Sequence, residues 1–388
     1  MKRKIFYPLL LVLSCLYFTN NANGQIPEES RSATTNISPN EYPCILPDLR
    51  VVFKVNAPDA GKVQIDLGKM YNMQKDEDGN WKVTTEPQEP GFHYYSLVID
   101  GVKVADPASE SFYGMGRMAS GIDIPDDGVE FYSIKDVPHG DIRSRLYFSN
   151  TTQTWRTLNI YAPPGYDKNI NGSYPVLYIQ HGGGEDESGW AVQGKTNIIL
   201  DNLIAEGKAV PMIIVIPNGN VSKPGVTAFG YTKEAMQAFK DELFENVIPF
   251  VESNYRIKTG AANRALAGLS MGGGQTFYTG LGNTDMFSSL GVFSSGIFGG
   301  IGNLPADALN PETIVSGILN SQETFNNKMK VFYISVGEQD PRIEPTKKFV
   351  ETMKGKGLKV EFASFPGGHE WQCWRRSLHK FTQLLFKN

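Results

Sequence analysis

The chain has 388 residues, of which 40% are hydrophobic, 20% charged and 11% aromatic. That composition suits two packed domains and excludes an extensively disordered protein. A formal net charge of −4 leaves no basic footprint, so nucleic acid is excluded as an expected partner.

The first residues concern destination rather than fold. Lys2, Arg3 and Lys4 form a basic start, residues 5–18 an apolar run, and Ala22-Asn23-Gly24 a small-residue cleavage pattern. Together they predict a signal peptide over 1–24, with Gln25 as the first mature residue. The run of about 14 residues is shorter than the roughly 20 that span a bilayer. No membrane span is therefore expected after cleavage, and the protein is expected to be secreted or periplasmic. Cys15 sits inside the apolar run, which disfavours a lipid anchor there. Of the three cysteines, Cys44 and Cys373 then remain, and their spacing leaves a disulfide between them open. No Cys/His cluster has the spacing of metal ligands, so no metal is expected.

Residues 25–44 are polar, rich in Ser, Thr, Asn and Pro, and read as a linker. From about residue 45 the apolar positions alternate: Val51, Phe53 and Val55; Val63, Ile65 and Leu67; Trp81 and Val83; Tyr95, Leu97 and Ile99. Turn residues separate these runs, with Asp100-Gly101 as a tight hairpin turn. Short strands at this spacing predict a small all-β, immunoglobulin-like sandwich over 45–136. Pro125, Pro138 and Gly140 mark the junction to a second domain over 140–388. There, apolar runs at 155–161, 176–180, 212–216, 264–267, 331–336 and 360–362 alternate with helical patterns at 233–252 and 374–386. Strand–helix alternation with nearly continuous apolar strands predicts an α/β fold, its parallel sheet covered on both faces.

The strongest chemical motif is Gly268-Leu269-Ser270-Met271-Gly272, between a predicted strand and a helix-compatible run. A strand-to-helix turn that tight needs small flanking residues, and it lifts the serine to the positive end of a helix. A serine hydroxyl needs a base at neutral pH. Of the five histidines, only His369 and His379 follow Ser270. His379 lies among apolar helix positions, whereas His369 lies in a glycine-rich loop after a strand, so His369 is the expected base. The acid is expected at the end of an intervening strand. Residues 331–336 run into Gly337-Glu338-Gln339-Asp340, and Asp340 is favoured over Glu338 because the extra loop residues let it turn toward the imidazole. It would hold the ring tautomer without taking the proton. Two backbone N–H groups are expected to form an oxyanion hole: Met271, after the nucleophile, and Gly183 in His181-Gly182-Gly183-Gly184, with Gly182 and Gly184 as near alternatives. His181 is read as fixing that loop. Trp190 and Trp371 are expected near the mouth as apolar walls for substrate. Every one of these residues lies after Gly140, which places the sandwich outside the chemistry.

With those residues in place, the part from about Trp155 onward resembles the esterase-D-like group of α/β-hydrolases. The resemblance rests on Tyr161-Ala162-Pro163-Pro164-Gly165-Tyr166, His181-Gly182-Gly183-Gly184 with Trp190, the Ser270 elbow, and Gly368-His369-Glu370-Trp371 with Trp374-Arg375. The group includes feruloyl and acetylxylan esterases of carbohydrate esterase family one, siderophore esterases and S-formylglutathione hydrolases. Asp78-Gly79-Asn80-Trp81, Gly91-Phe92-His93-Tyr94-Tyr95 and Ala105-Asp106-Pro107 resemble the early-set, glycogen-binding-type sandwich that precedes this domain in some secreted feruloyl esterases. The resemblance implies an α/β-hydrolase fold after a sandwich that is either carbohydrate-binding or structural. It implies a cofactor-free esterase acting on feruloylated or acetylated poly- or oligosaccharide, with ferulate ahead of acetate or a siderophore as the acyl group. The rival from another class is a glycan-binding protein on an inactive hydrolase, against which the intact Ser270, Asp340 and His369 speak.

Overall fold

The larger sheet contains eight strands: β1 (Asp141–Ser149), β2 (Thr154–Ala162), β3 (Val176–Gln180), β4 (Ile213–Pro217), β5 (Arg264–Leu269), β6 (Ser289–Phe293), β7 (Val331–Gly337) and β8 (Glu361–Phe365). Their spatial order is β1-β2-β4-β3-β5-β6-β7-β8. β1, β2 and β4 pair antiparallel, and every pairing from β4 through β8 is parallel. This computed structural model describes residues 29–126, 128–226, 230–300 and 315–387. The expected signal peptide at 1–24 lies outside them.

β3 through β6 consist wholly of buried residues, because helices cover both faces. On one face Val176, Tyr178 and Leu266 pack with Met236, Phe277 and Phe349. On the other, Leu177, Ile179 and Ala267 pack with Leu200, Leu203, Trp374 and Phe381. Two strands escape the sequence pattern. β1 is an edge strand whose Ile142, Ser144 and Leu146 are not buried, so its apolar alternation is weak. β6 reads Ser-Leu-Gly-Val-Phe between serines and looks like a loop by composition.

Two antiparallel sheets precede this domain. One orders Arg31–Ser32, Cys44–Ile45, Arg50–Asn56, Asn80–Pro87 and Gln74–Lys75; the other Ser111–Gly114, Arg117–Ile124, Gly91–Ile99, Val63–Leu67 and Lys69–Asn72, with Val102–Val104 also paired to Gly91–Ile99. Phe53, Ile65, Trp81, Tyr95, Leu97 and Ile122 fill the space between them. Trp81 is buried there and donates its indole N–H to Ala57 O (2.9 Å). Residues 29–44 depart from the linker expectation. Arg31–Ser32 and Cys44–Ile45 join the first sheet, Ala33 is buried, and Thr35 Oγ1 donates to Gly121 O (2.7 Å). Small polar side chains also satisfy nearby backbone, as Asn40 Nδ2 does by donating to Ile37 O (2.6 Å), so polar composition alone does not distinguish a docked segment from a tether. Cys44 is buried in the sandwich and Cys373 in the second domain, and both are free thiols.

The two halves share a core. Phe92 and Phe112 of the sandwich and Tyr132 of the connecting segment pack into the same cluster as Trp190, Trp371 and Trp374. At its edge the wholly buried Arg375 guanidinium reaches both carboxylate oxygens of Asp123 (2.8 and 3.3 Å) and donates to Gln193 O (2.8 Å). Burial would raise the Asp123 carboxyl, but Arg375 and then Lys195 outweigh it and hold the group at about 2. Removing Arg375 would leave Asp123 with Lys195 (2.6 Å) as its counter-ion and Gln193 O without its donor. Arg375→Met is therefore expected to lower the unfolding free energy by about 1–3 kcal/mol, read from the urea midpoint. The contribution should be whole above the ordinary carboxylate value of 3.8 and be lost as pH falls through about 2. A variant within about 0.5 kcal/mol of wild type would show that the clamp adds nothing to stability.

Candidate active site

β5 runs directly into the helix Met271–Leu281, and Ser270 stands at the junction with φ 51° and ψ −114°. A non-glycine residue there is strained by about 1–3 kcal/mol, so its surroundings must enforce it. Ser270 N–H donates to Phe293 O (2.8 Å), and Ser270 O accepts from Gly273 and Gly274 N–H (3.1 and 3.3 Å). Side chains at the flanking glycines would block the turn. A Cβ on Gly268 would lie 2.4 Å from Gly272 O, and one on Gly272 would lie 2.5 Å from His181 O.

His369 lies in the loop after β8, and Asp340 in the turn after β7. The His369 Nε2 is 3.0 Å from Ser270 Oγ and its Nδ1 is 2.8 Å from Asp340 Oδ2. An ionised carboxylate only accepts, so the ring proton belongs on Nδ1 and Nε2 is left to accept from the serine. Arg342 occupies the other carboxylate oxygen, donating from its backbone N–H (3.0 Å) and Nη1 (2.9 Å). Burial alone would raise the Asp340 carboxyl, but His369 and Arg342 outweigh it and hold it below its ordinary range. Glu338 is exposed, and Ser364 Oγ is 3.4 Å from its carboxylate. His379 lies in the final helix, Trp371–Thr382, with its ring 4.4 Å from that of Phe131.

Met271 opens its helix, where the first N–H groups have no acceptor within the helix. Opposite it, Gly182 N–H donates to Glu185 Oε2 (3.1 Å), which commits that donor elsewhere. A Cβ on Gly183 would meet nothing within 4 Å, so this residue faces open space. His181 is buried between Gly182 O (2.8 Å from Nδ1) and Gly219 N–H (2.9 Å to Nε2). Burial pushes its pKa down, so it stays neutral and fixes the loop.

A cleft of about 880 Å³ opens over Ser270 and His369. Its walls include Gly183, Glu185, Trp371 and Trp374 from the second domain and Leu67, Phe92, Tyr94, Met115 and Arg117 from the sandwich. The sandwich is thus not outside the site. Trp374 sets its ring 5.0 Å from that of His369, edge to face. Trp371 lines the cleft but is almost wholly buried, with its indole N–H donating to Tyr94 Oη (3.2 Å). Trp190 departs from its expected place at the mouth. It is fully buried, its N–H donates to Gln180 O (2.8 Å), and its ring packs on Trp371 and Phe293. Glu185 is a further residue that sequence reading passed over. Burial pushes its carboxyl up to about 7, against the pull of Gly182 N–H and Tyr94 Oη. No sequence pattern singles it out, since its environment comes from two domains.

A sheet of this order, with the serine on the turn after β5, the acid after β7 and the histidine after β8, defines an α/β-hydrolase. The chain belongs to the Esterase family, whose model matches residues 149–384. It is 37% identical over 357 residues to an endo-1,4-beta-xylanase/feruloyl esterase of Xylanibacter ruminicola, covering 89% of this chain and 46% of that protein. The chain therefore spans about half the length of this relative. Among solved structures, a ferulic acid esterase from Anaeromyces mucronatus in complex with ferulic acid matches with TM-score 0.55 and 28% identity, over 68% of this chain and 93% of that one. The enterobactin esterase of Shigella flexneri has a TM-score of 0.65 at 15% identity, over 86% of this chain and 92% of that one, a likeness of fold.

Proposed function

We propose that this chain is a serine esterase that releases ferulate or a related hydroxycinnamate from plant cell-wall xylan. The observation that carries the chemistry is His369 bridging Ser270 and Asp340 at the floor of an open cleft. Ser270 Oγ attacks the ester carbonyl while His369 Nε2 takes its proton. Met271 and Gly183 N–H groups stabilise the oxyanion. The sugar hydroxyl leaves with the proton from His369, and a water activated by the same nitrogen cleaves the acyl-enzyme to free acid and serine. No step calls on a cofactor or metal.

The acyl group is argued from the walls and the relatives. Phe92, Trp371 and Trp374 give a flat ring an apolar surface beside the nucleophile, and one relative is a xylanase/feruloyl esterase and one solved neighbour a ferulic acid esterase. The polar side chains of Asp66, Gln88 and Glu89 at the sandwich side of the cleft suit the hydroxyls of a glycan, which favours a carbohydrate-contacting role for that domain. The signal-peptide pattern over 1–24 supports an enzyme outside the cytoplasm, where such a substrate is found. Among the described residues no helix is long and apolar enough to cross a membrane.

Burying an aromatic ring contributes about 1.5–3 kcal/mol, or roughly ten- to 150-fold in discrimination. The expected result is a kcat/KM for methyl ferulate that exceeds that for an acetate ester by such a factor. An acetylated xylan and a siderophore trilactone complete the panel. Faster release of acetate from xylan, or of the trilactone's acid, would overturn the feruloyl assignment and leave ester hydrolysis standing.

A further inference from the structure

The oxyanion loop is built from three successive glycines, Gly182 to Gly184, which carry no side chains to pin them and have wide backbone freedom. Its geometry must come from neighbours. On the side of its own domain, His181 anchors the start of the loop, and Asn220 Nδ2 donates to Glu185 O (2.8 Å). The remaining anchors come from the sandwich. The hairpin turn at Met115 and Gly116 presses against Gly184, and Gly116 N–H donates to Gly184 O (2.7 Å). The fit is close, since a Cβ on Gly184, which has φ +78°, would stand 2.9 Å from Gly116 N.

Tyr94 supplies the second anchor. Its phenol oxygen accepts from Gln193 Nε2 (2.8 Å) and Trp371 Nε1 (3.2 Å), which uses both acceptor positions and leaves the O–H to donate. That proton is directed at Glu185 Oε1 (3.4 Å), while Glu185 Oε2 holds Gly182 N–H (3.1 Å). A continuous chain therefore runs from the sandwich through Tyr94 and Glu185 to the peptide next to Gly183. Its branch to Trp371 reaches the helix that follows His369.

We infer that the sandwich positions the oxyanion loop, with Tyr94, through Glu185, and Gly116 holding residues 182–185 so that Gly183 N–H faces the carbonyl over Ser270. Tyr94 is then a positioning residue for acyl transfer, and the β-domain is part of the catalytic apparatus. The inference rests on the reading of Ser270 as nucleophile and Gly183 as oxyanion donor.

Tyr94→Phe in the full chain removes the hydroxyl and keeps the ring that packs edge-on to Phe92. Removing an oxyanion donor costs about 10²–10³ in kcat, and misplacing one costs part of that. The expected loss on methyl ferulate is thus roughly 10- to 100-fold in kcat, with KM within about twofold. Affinity for a phenylboronic acid, whose serine adduct puts an oxygen in the hole, should fall in parallel with kcat/KM, while ferulate binding is unchanged. Glu185→Gln tests the same chain from the catalytic side and serves if Tyr94→Phe does not fold. Its amide can still accept from Gly182, but it turns a donor toward a Tyr94 oxygen whose acceptor positions are filled. The double variant should lose no more than the worse single one. Wild-type kcat and boronate affinity in folded Tyr94→Phe, or in Glu185→Gln where the former does not fold, would overturn the inference. So would a lowered melting temperature with unchanged kcat. A Ser270→Ala control keeps the two readings apart: if it stays active, the nucleophile assignment itself falls.

Discussion

Ser270→Ala is expected to lower kcat on methyl ferulate by on the order of 10⁴ or more while the protein stays folded. Alanine removes only Oγ, which is the atom 3.0 Å from His369 Nε2. The strained backbone at φ 51° is as accessible to alanine as to serine, and the hydrogen bonds that enforce it involve backbone groups of residue 270. Folding should therefore be preserved, and circular dichroism with a melting curve would check it. Residual turnover above background would come from the oxyanion donors and binding alone. If the variant kept a tenth of wild-type activity, some other group would have to be the nucleophile.

The second large effect belongs to Asp340. Asp340→Asn is expected to lower kcat by roughly 10³ to 10⁴ with little change in KM. The reason is Arg342. One carboxylate oxygen accepts two N–H groups of Arg342 and the other faces His369 Nδ1. An asparagine that keeps its oxygen toward Arg342 turns its NH₂ toward the imidazole. The ring proton then moves to Nε2, and the nitrogen facing Ser270 no longer accepts. The opposite rotamer sets NH₂ against the Arg342 donors, which is unfavourable in a buried site. Glu338→Gln should change kcat by less than about threefold, since Glu338 is exposed and its backbone N–H, not its carboxylate, ties it to Phe365 O (2.8 Å). The opposite ranking of the two variants would move the acid to Glu338.

A coupling between the halves changes how truncations should be read. Loss of activity on removing the sandwich would report on glycan binding only if a small ester were unaffected. With Gly116 and Tyr94 against the oxyanion loop and Phe92 in the shared core, a small ester should be affected as well. Point variants of the full chain separate these effects where a deletion merges them.

How much of this was legible in advance depended on the range of the interactions. The Ser270 elbow is settled within about five residues, because sterics at Gly268 and Gly272 and the switch from strand to helix act locally. The choice of His369 and Asp340 followed from their order along the chain after Ser270 and from the loops after strands in which each lies, features that need no tertiary contact to read. Period-two alternation was enough for four sandwich strands, Arg50–Asn56, Val63–Leu67, Asn80–Pro87 and Gly91–Ile99, whose apolar side chains pack into their own core. Tertiary structure alone decided the rest. Trp190 and Trp371 look alike in sequence, yet one is sealed beneath the other. Residues 29–44 look like a tether but complete a sheet. Tyr94 meets Trp371 across 277 residues, and Arg375 meets Asp123 across 252. Such contacts arise from complementary surfaces that exist only once both domains have folded, and no periodicity or spacing along the chain encodes them. The sequence by itself therefore pointed to the candidate reacting groups and to the two folds, and the docking of one fold on the other decided what surrounds those groups.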